Sequence, residues 1–397
     1  MRRTGGVGRP WAAWAALAAA GLLALAACSL RPVKLGAVLP LTGAYAPYGT
    51  SMERGALLAA KLVNATGGID GRRLEILVKD SASSEGRAAE AFQELVERDH
   101  VPAVVGGCTT GEALAMAPVA ERFRRILFSP SASAPQITEA GGFVFRNWPS
   151  DDIEGQTMAD FAAYTLHATQ ALVLSERNPY AAGIGGVFSQ RFCKDGRTCK
   201  TVLFQRGQAP SEVMSEAAAE LEHCQVVFIA GYGEDLAPVL GALRAQDPRP
   251  PVLSVSALAE GTLLKGKGAV FDGILFARPA YDPEGGNPAA SEFAAAYAAN
   301  YGREADIYAA HAYDAVKILA EVMSKGDLRA EAIRSGLLAL RNYPGASGLT
   351  SFDANGDAVQ PFQVCIVQGG RAVPLKSVMD TVLPGVQQRV EALRFGR

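Results

Sequence analysis

Residues 101–138 read VPAVVGGCTTGEALAMAPVAERFRRILFSPSASAPQIT, and this stretch decides the fold class. It predicts a short β-branched strand over 101–105, a glycine turn, a helix over 111–124 and a second strand over 126–128. Two parallel strands around one helix bring both turns to the same edge of a sheet. The stretch therefore predicts a β-α-β unit of an α/β protein.

The two turns at that edge carry small hydroxyl side chains. Thr109 or Thr110 can cap the helix, whose free N–H groups and dipole favour an anion. The simplest interpretation of this stretch alone is an ordinary β-α-β unit whose Thr and Ser residues only cap and turn. The alternative interpretation is the floor of a ligand-binding site.

The composition is that of a globular protein. The chain has 397 residues, of which 49% are hydrophobic and 20% charged, with a formal net charge of −2. This length suits one large or two medium domains. Nothing in the charge balance points to nucleic acid, and we expect no nucleic-acid partner.

The N-terminal residues indicate a targeting segment. Arginines precede an apolar run that ends Leu-Ala-Ala-Cys at Cys28, which is typical of a secretory signal. The ending resembles a bacterial lipobox, which implies a signal peptide over 1–27 and lipid on the Cys28 thiol. The alternative is a plain signal peptide or membrane anchor with a chance cysteine. We expect a protein of the periplasm or cell surface that is held to a bacterial membrane through the lipid anchor only.

The remaining cysteines and the histidines predict a disulfide and no metal. Cys193 and Cys199 bracket a polar, turn-like loop, and an exported protein permits a local disulfide there. The four histidines are scattered without zinc spacing. We expect no metal site, no cofactor and no enzymatic activity, since no nucleophile–base set is recognisable.

About ten strands alternate with helices along the chain, which predicts parallel sheets covered on both faces. A loop is predicted over 178–183 and a hairpin over 352–359. Polar or proline-containing crossings divide the chain into two discontinuous lobes. The predicted crossings are 147–152, 278–283 and 346–352. The predicted domains are 33–147 plus 280–348 for the first lobe, 148–279 plus 352–375 for the second lobe, and 376–397 for a C-terminal amphipathic tail.

A series of motifs in fixed order resembles a known family, the type I solute-binding proteins of bacterial ABC importers, specifically the leucine/isoleucine/valine-binding group. The motifs span nearly the whole chain after the signal segment. They are LPLTG at 39–43, NATGGIDG at 64–71, VGGCT at 105–109, SPSASAP at 129–135, FR at 145–146, AGYG at 230–233, AYDA at 312–315 and FD at 352–353. The resemblance implies two doubly wound parallel-sheet lobes joined by a three-strand hinge, with a ligand cleft between them.

The resemblance also implies ligand-binding residues in the first lobe. By position, Thr109 would offer a hydroxyl and a backbone N–H to a carboxylate. Ser131 matches a position that offers a backbone carbonyl, and Ser133 one that offers a hydroxyl and an N–H. Tyr48 lies in the loop near the ligand in this family.

Further candidates come from the second lobe and the first crossing. Tyr232 would reach the ligand from the second lobe, and Tyr180 is a further candidate there. Trp148 would add an aromatic wall, although a packed hinge residue is an equal alternative.

One position departs from the family pattern. The amino-acid binders of the family carry a glutamate after the strand predicted over 252–255, where it pairs with the ligand ammonium. Ser256 stands there instead, and the nearest acid is Glu260, a helical turn away. Because a buried unpaired charge is costly, Ser256 predicts a ligand without an amine, or another small polar compound.

The functional expectation is therefore a solute-binding lipoprotein. It would capture a branched-chain amino acid or a related carboxylate or amide by hinge closure, and deliver it to ABC permease subunits. We expect a monomer. The alternative is a ligand sensor of the same fold that signals to a membrane partner.

Overall fold

The computed structural model of the chain describes residues 31–394, and all of their side chains except those at 267 and 268. The predicted signal peptide and the lipid-attachment residue Cys28 lie outside the described residues. Within these limits the chain forms two α/β lobes, which confirms the predicted fold class.

The first lobe is built on a sheet of five parallel strands in the order β2-β1-β3-β4-β5. These strands are β1 Val33–Leu39, β2 Leu74–Asp80, β3 Ala103–Gly106, β4 Ile126–Ser129 and β5 Val144–Arg146. Strands β3 and β4 are buried at every residue, as expected for a sheet that helices cover on both faces.

Six helices surround this sheet. They are α1 Ala46–Ala65, α2 Glu85–Glu97, α3 Thr110–Phe123, α9 Pro288–Tyr301, α10 Ile307–Ser324 and α11 Ala330–Ala339. Helix α1 packs closely on α10, because Gly55 has no side chain: a Cβ there would lie 2.1 Å from the Ala309 carbonyl oxygen. This contact fixes the end of α10 that faces the second lobe.

The second lobe contains a sheet of seven strands in the order β14-β13-β10-β9-β8-β6-β7. Its strands are β6 Gln170–Glu176, β7 Thr198–Phe204, β8 Val226–Ala230, β9 Val252–Ser254, β10 Leu275–Pro279, β13 Phe362–Gln368 and β14 Arg371–Pro374. Five of them are parallel, whereas β13 and β14 form an antiparallel hairpin along β10.

Helices also cover the second sheet. They are α4 Asp151–Asp160, α5 Pro179–Phe192, α6 Pro210–Leu221, α7 Gly233–Gln246, α8 Gly261–Phe271 and α12 Leu375–Arg394. A π-helical turn, Phe161–Thr165, extends α4. No helix between residues 31 and 394 is long and apolar enough to cross a membrane. Cys193 and Cys199 form a disulfide beside β7, with Cα atoms 5.9 Å apart.

The predicted loop over 178–183 is wrong, because α5 begins there. Asn178 caps this helix: its side-chain oxygen accepts from the Ala181 N–H at 2.8 Å. Pro179 occupies the first helical position, where its fixed φ is favourable. Three glycines, at positions 183, 185 and 186, lie inside the helix, and Gly185 faces Ser175 of β6.

The segment 352–358 turns where the hairpin was predicted, but it packs on the other lobe. An antiparallel bridge pairs Phe352 with Ala358, and the Asp353 N–H donates to the Asp357 carbonyl at 3.0 Å across the turn. A further hairpin, Tyr343–Gly345 (β11) with Gly348–Thr350 (β12), precedes it. The Phe352 ring packs 5.7 Å from the rings of Phe128 and Phe145 in the first lobe.

The far end of the same segment is also held by the first lobe. Asp357 receives two hydrogen bonds from Arg146, at 2.7 and 2.8 Å. Residues 352–358 thus pack on the first lobe, whereas the sequence analysis assigned them to the second. The domain boundaries themselves remain predictions.

Candidate functional site

A cavity lies between the two lobes, at the carboxyl ends of both sheets. This is the edge at which open α/β sheets bind ligands. Both lobes contribute to its wall. The residues around it are Tyr48, Cys108, Thr110, Ser131, Ser133, Trp148, Tyr180, Tyr232, Ser256, Ala257 and Tyr308. Seven of the eight predicted ligand-binding residues are brought together here, and the exception is Thr109.

Thr109 is held by the start of helix α3. Its Oγ1 accepts from the Glu112 N–H at 3.2 Å, and its own N–H donates to Glu112 Oε2 at 3.3 Å. This reciprocal pair is a capping box, which uses the groups that the sequence analysis assigned to a ligand carboxylate. The neighbouring Thr110 lines the cavity instead.

Glu112 is almost fully buried behind this floor. Ser81 Oγ donates to Glu112 Oε1 at 2.6 Å, and burial raises the pKa of Glu112 to about 7. The sequence analysis missed this residue, although the Thr-x-x-Glu spacing of 109–112 is the usual signature of a capping box.

The turn after β4 is rigid and presents serines to the cavity. Ser131 Oγ donates to the Cys108 carbonyl at 2.6 Å, which joins the two turns of the floor. The Ser133 carbonyl accepts from the Asp151 N–H at 2.8 Å and from Arg146 Nη1 at 2.6 Å. These bonds fix the backbone of the floor before any ligand arrives.

Aromatic side chains form most of the remaining wall. Trp148 stacks on Tyr308 with ring centroids 5.0 Å apart, and Tyr48 meets Tyr308 edge-on at 5.0 Å. On the opposite lobe, Tyr180 and Tyr232 lie 5.2 Å apart. The sequence analysis missed Tyr308, since a buried aromatic residue in the first turn of a helix has no distinctive local signal.

The lobes are in contact around the cavity. Tyr48 Oη, from the first lobe, donates to the Ala257 carbonyl at 2.9 Å and accepts from the Gly233 N–H at 3.1 Å. Tyr308 Oη donates to the Ser256 carbonyl at 3.2 Å. Two first-lobe hydroxyls therefore bond to second-lobe backbone, so the structure represents the closed arrangement.

Ser256 is engaged by an acid from another element. Its N–H and its hydroxyl donate to the two carboxylate oxygens of Glu154, at 2.6 and 2.7 Å. Glu154 and Asp151 lie in the first helical turn of α4 and are fully buried. Burial and the neighbouring Asp151 carboxylate raise the pKa of Glu154 well above its usual range, and burial raises the pKa of Asp151 to about 7.

Three polar atoms on cavity-lining residues are buried without a hydrogen-bond partner. They are the Thr110 hydroxyl oxygen, the Trp148 indole nitrogen and the Tyr180 hydroxyl oxygen. Leaving such a group unpaired costs about 1–3 kcal/mol. A polar ligand in the cavity would supply the partners. Among residues 31–394, no cluster of His, Cys, Asp and Glu could hold a metal ion.

Comparisons with known proteins agree with this architecture. A sequence profile described as periplasmic binding protein matches residues 32–371. The chain is 28% identical over 235 residues to an amino acid binding protein of Pseudomonas aeruginosa, a match that covers 58% of this chain and 62% of that relative.

Two solved structures resemble this fold over most of the chain. One is a leucine-binding protein, LivK, of Thermotoga maritima, with a TM-score of 0.80 and 28% identity over 86% of this chain and 97% of that one. The other is the branched-chain amino acid binding protein LivJ of Streptococcus pneumoniae in complex with isoleucine. Its TM-score is 0.79, with 25% identity over 86% of this chain and 98% of that one.

Proposed function

Since the chain belongs to the periplasmic binding protein family, whose members bind solutes without converting them, we propose that it captures a small polar ligand between its lobes for an ABC importer. The proposed ligand class is a branched-chain amino acid or a related carboxylate or amide. Support comes from the leucine- and isoleucine-binding relatives with the same fold.

One observation supports the proposal: a cavity between closed lobes, with unpartnered polar groups on both sides. Thr110 belongs to the first lobe, Tyr180 to the second, and Trp148 to the first crossing. A ligand that satisfies groups of both lobes binds the closed arrangement more tightly than the open one. Closure follows from that difference in affinity.

A thermal-shift screen tests the proposal. The panel contains aliphatic and aromatic amino acids, their amides and the corresponding organic acids. A ligand that binds only the folded state stabilises it by about 2.7 kcal/mol at a concentration of 100 Kd, which raises the unfolding temperature by several degrees.

Small-angle scattering supplies the mechanistic readout. We expect the radius of gyration to decrease when a hit from the screen is added, because the ligand favours the closed lobes. If no panel member produces either a thermal shift or a decrease in the radius of gyration, the result would contradict the proposed function.

The proposal includes a membrane anchor and a permease. Its support is the Leu-Ala-Ala-Cys ending at Cys28, which lies outside the described residues. Mass spectrometry of protein extracted from bacterial membranes should find a diacylglyceryl group on Cys28, and Cys28→Ser should release the protein from the membrane. Co-purification with permease subunits is expected; co-purification with a signalling receptor would favour the sensor alternative.

A further inference from the structure

We propose that the protein has a second ligand site, a groove between the lobes in which the buried Arg278 guanidinium binds an oxyanion, that is, a carboxylate, phosphate or sulfate group. The groove lies where the chain passes from β10 of the second lobe to α9 of the first. This inference goes beyond the proposed function and does not depend on it, because the groove shares no lining residue with the solute cavity.

The groove has walls from both lobes. The second-lobe wall consists of α8, the end of β10 and β14, and the first-lobe wall consists of α9 and the start of α10. Ile307 of α10 lines the groove, whereas the next residue, Tyr308, lines the solute cavity. The first turn of α10 therefore separates the two sites.

Arg278 is a buried cation in this groove. It is 9% exposed, its Nη2 donates to the Tyr281 carbonyl at 3.2 Å, and its Nε has no partner. No carboxylate of residues 31–394 lies within ion-pair distance of its guanidinium. The Cys365 thiol lies beside it, but burial raises the pKa of that thiol, which therefore stays neutral. Because a buried charge without a counter-ion is costly, the site suits an anion.

Other hydrogen-bond donors beside Arg278 are also buried without a partner. They are the Tyr281 hydroxyl, on a residue that lines the groove and is 6% exposed, and the Gln363 side-chain nitrogen. Gln363 is the direct partner of Arg278 on the neighbouring strand β13, so the two side chains share one face of the sheet. Guanidinium and amide nitrogens only donate, and a tyrosine hydroxyl can donate. An oxyanion accepts from several such donors at once.

Acids also line the groove, but they are engaged elsewhere or exposed. Glu304 pairs with a lysine and an arginine at the rim, and Asp306 accepts from a serine hydroxyl and a backbone N–H. Asp282 and Glu284 are exposed, and water and salt screen their charges. Arg278 is therefore left as a buried positive charge without a counter-ion.

Isothermal titration calorimetry of the solute-free protein tests the proposal. The titrants are sodium phosphate, sodium sulfate and sodium acetate, each compared with sodium chloride at the same ionic strength. We expect saturable binding of at least one of the three oxyanions. The relative affinities show whether the site takes a carboxylate or a tetrahedral oxyanion.

The variants assign the binding to the groove. Arg278→Gln removes the charge and keeps a donor for the Tyr281 carbonyl, and it should weaken oxyanion binding by at least about tenfold. Tyr281→Phe should weaken it by about three- to tenfold. Arg244→Gln is the matched control, because that guanidinium donates to the carbonyls of Ala269 and Asp272 outside the groove. This control should leave oxyanion affinity within about twofold of the wild-type value.

The anion-free proteins give a second readout. Since Arg278 carries a buried charge without a counter-ion, Arg278→Gln should leave the unfolding temperature of the anion-free protein unchanged or raise it. A lower unfolding temperature would show that the guanidinium stabilises the fold without an anion, which contradicts the proposal. Absence of saturable binding by all three oxyanions would overturn it, and so would equal affinities of the wild-type protein and Arg278→Gln. The thermal-shift screen of the solute panel is independent of these outcomes.

Discussion

At the residue scale, the hydroxyl of Tyr48 connects the two lobes. It bonds to the Ala257 carbonyl and the Gly233 N–H of the second lobe, and both groups are buried in the closed arrangement. Tyr48→Phe would leave them unpaired only when the lobes close, at a cost of about 1–3 kcal/mol. We expect roughly tenfold weaker ligand binding by calorimetry.

Tyr301→Phe is the matched control for that prediction. Its hydroxyl donates to the Arg54 carbonyl at 2.9 Å, and both residues belong to the first lobe. We expect this substitution to leave ligand affinity unchanged. Equal affinity losses in Tyr48→Phe and Tyr301→Phe would mean that the Tyr48 hydroxyl has no special part in closure.

The neighbouring threonines of the floor should behave differently. Thr109 caps α3, so Thr109→Ala should lower the free energy of unfolding by about 1 kcal/mol. Thr110 has an unpartnered hydroxyl, so Thr110→Ala should leave that stability within about 0.5 kcal/mol and weaken ligand binding. Urea unfolding measures the stability of each variant, and calorimetry measures its ligand affinity. If Thr109→Ala weakens ligand binding and Thr110→Ala does not, the ligand contact lies at Thr109 instead.

At the scale of secondary-structure elements, the buried acid at the start of α3 makes stability depend on pH. Burial raises the pKa of Glu112 to about 7, above the value of about 4.5 expected in the unfolded chain. The folded state therefore binds this proton more tightly. The stabilisation that Glu112 contributes to the folded state is fully present below about pH 4.5 and is lost as the pH rises through 7. Burial also raises the pKa of Glu176 to about 7, so this residue contributes to the same pH dependence.

We accordingly expect the ligand-free protein to be more stable at pH 5 than at pH 8. Glu112 alone would account for roughly 1–3 kcal/mol of the difference. Urea unfolding at the two pH values measures it. Glu112→Gln keeps an oxygen for the Thr109 N–H and should reduce the difference. Equal stability of the wild-type protein at both pH values would contradict the prediction.

A comparison of the predicted with the observed secondary-structure elements shows which features can be predicted from the sequence alone. The strand, helix and strand of residues 101–138 were predicted within two residues, because periodicity and caps are local signals. The start of helix α5 was predicted as a loop, although the cap at Asn178 and the proline after it are local signals of a helix. The contact between Glu154 and Ser256 joins two segments far apart in sequence, and it depends on the packing of α4 on the second sheet, which no local sequence signal predicts.

At the scale of the whole molecule, exposed ion pairs also cross between the lobes. Glu304, after α9 of the first lobe, pairs with Lys265 of α8 at 2.7 Å and with Arg371 of β14 at 3.6 Å. All three side chains are more than half exposed, and such pairs contribute about 0–1 kcal/mol.

Glu304→Gln should therefore change ligand affinity less than about threefold, and the effect should vanish in high salt. Calorimetry at low and high ionic strength measures it beside Tyr48→Phe. A larger loss for Glu304→Gln than for Tyr48→Phe would show that surface charge, rather than the buried hydroxyl, holds the lobes together.

The bonds from Tyr48 to the second lobe have a consequence for energy use, because both join protein groups directly and neither needs a ligand atom. An importer that recognises only the closed conformation of the two lobes would also bind the protein without ligand, and it would then hydrolyse nucleotide without transporting solute. The unpartnered Thr110, Trp148 and Tyr180 groups oppose this futile cycle, since they raise the free energy of the empty closed form alone. The balance between the Tyr48 bonds and these three unpartnered groups would then set how often such an importer turns over without cargo.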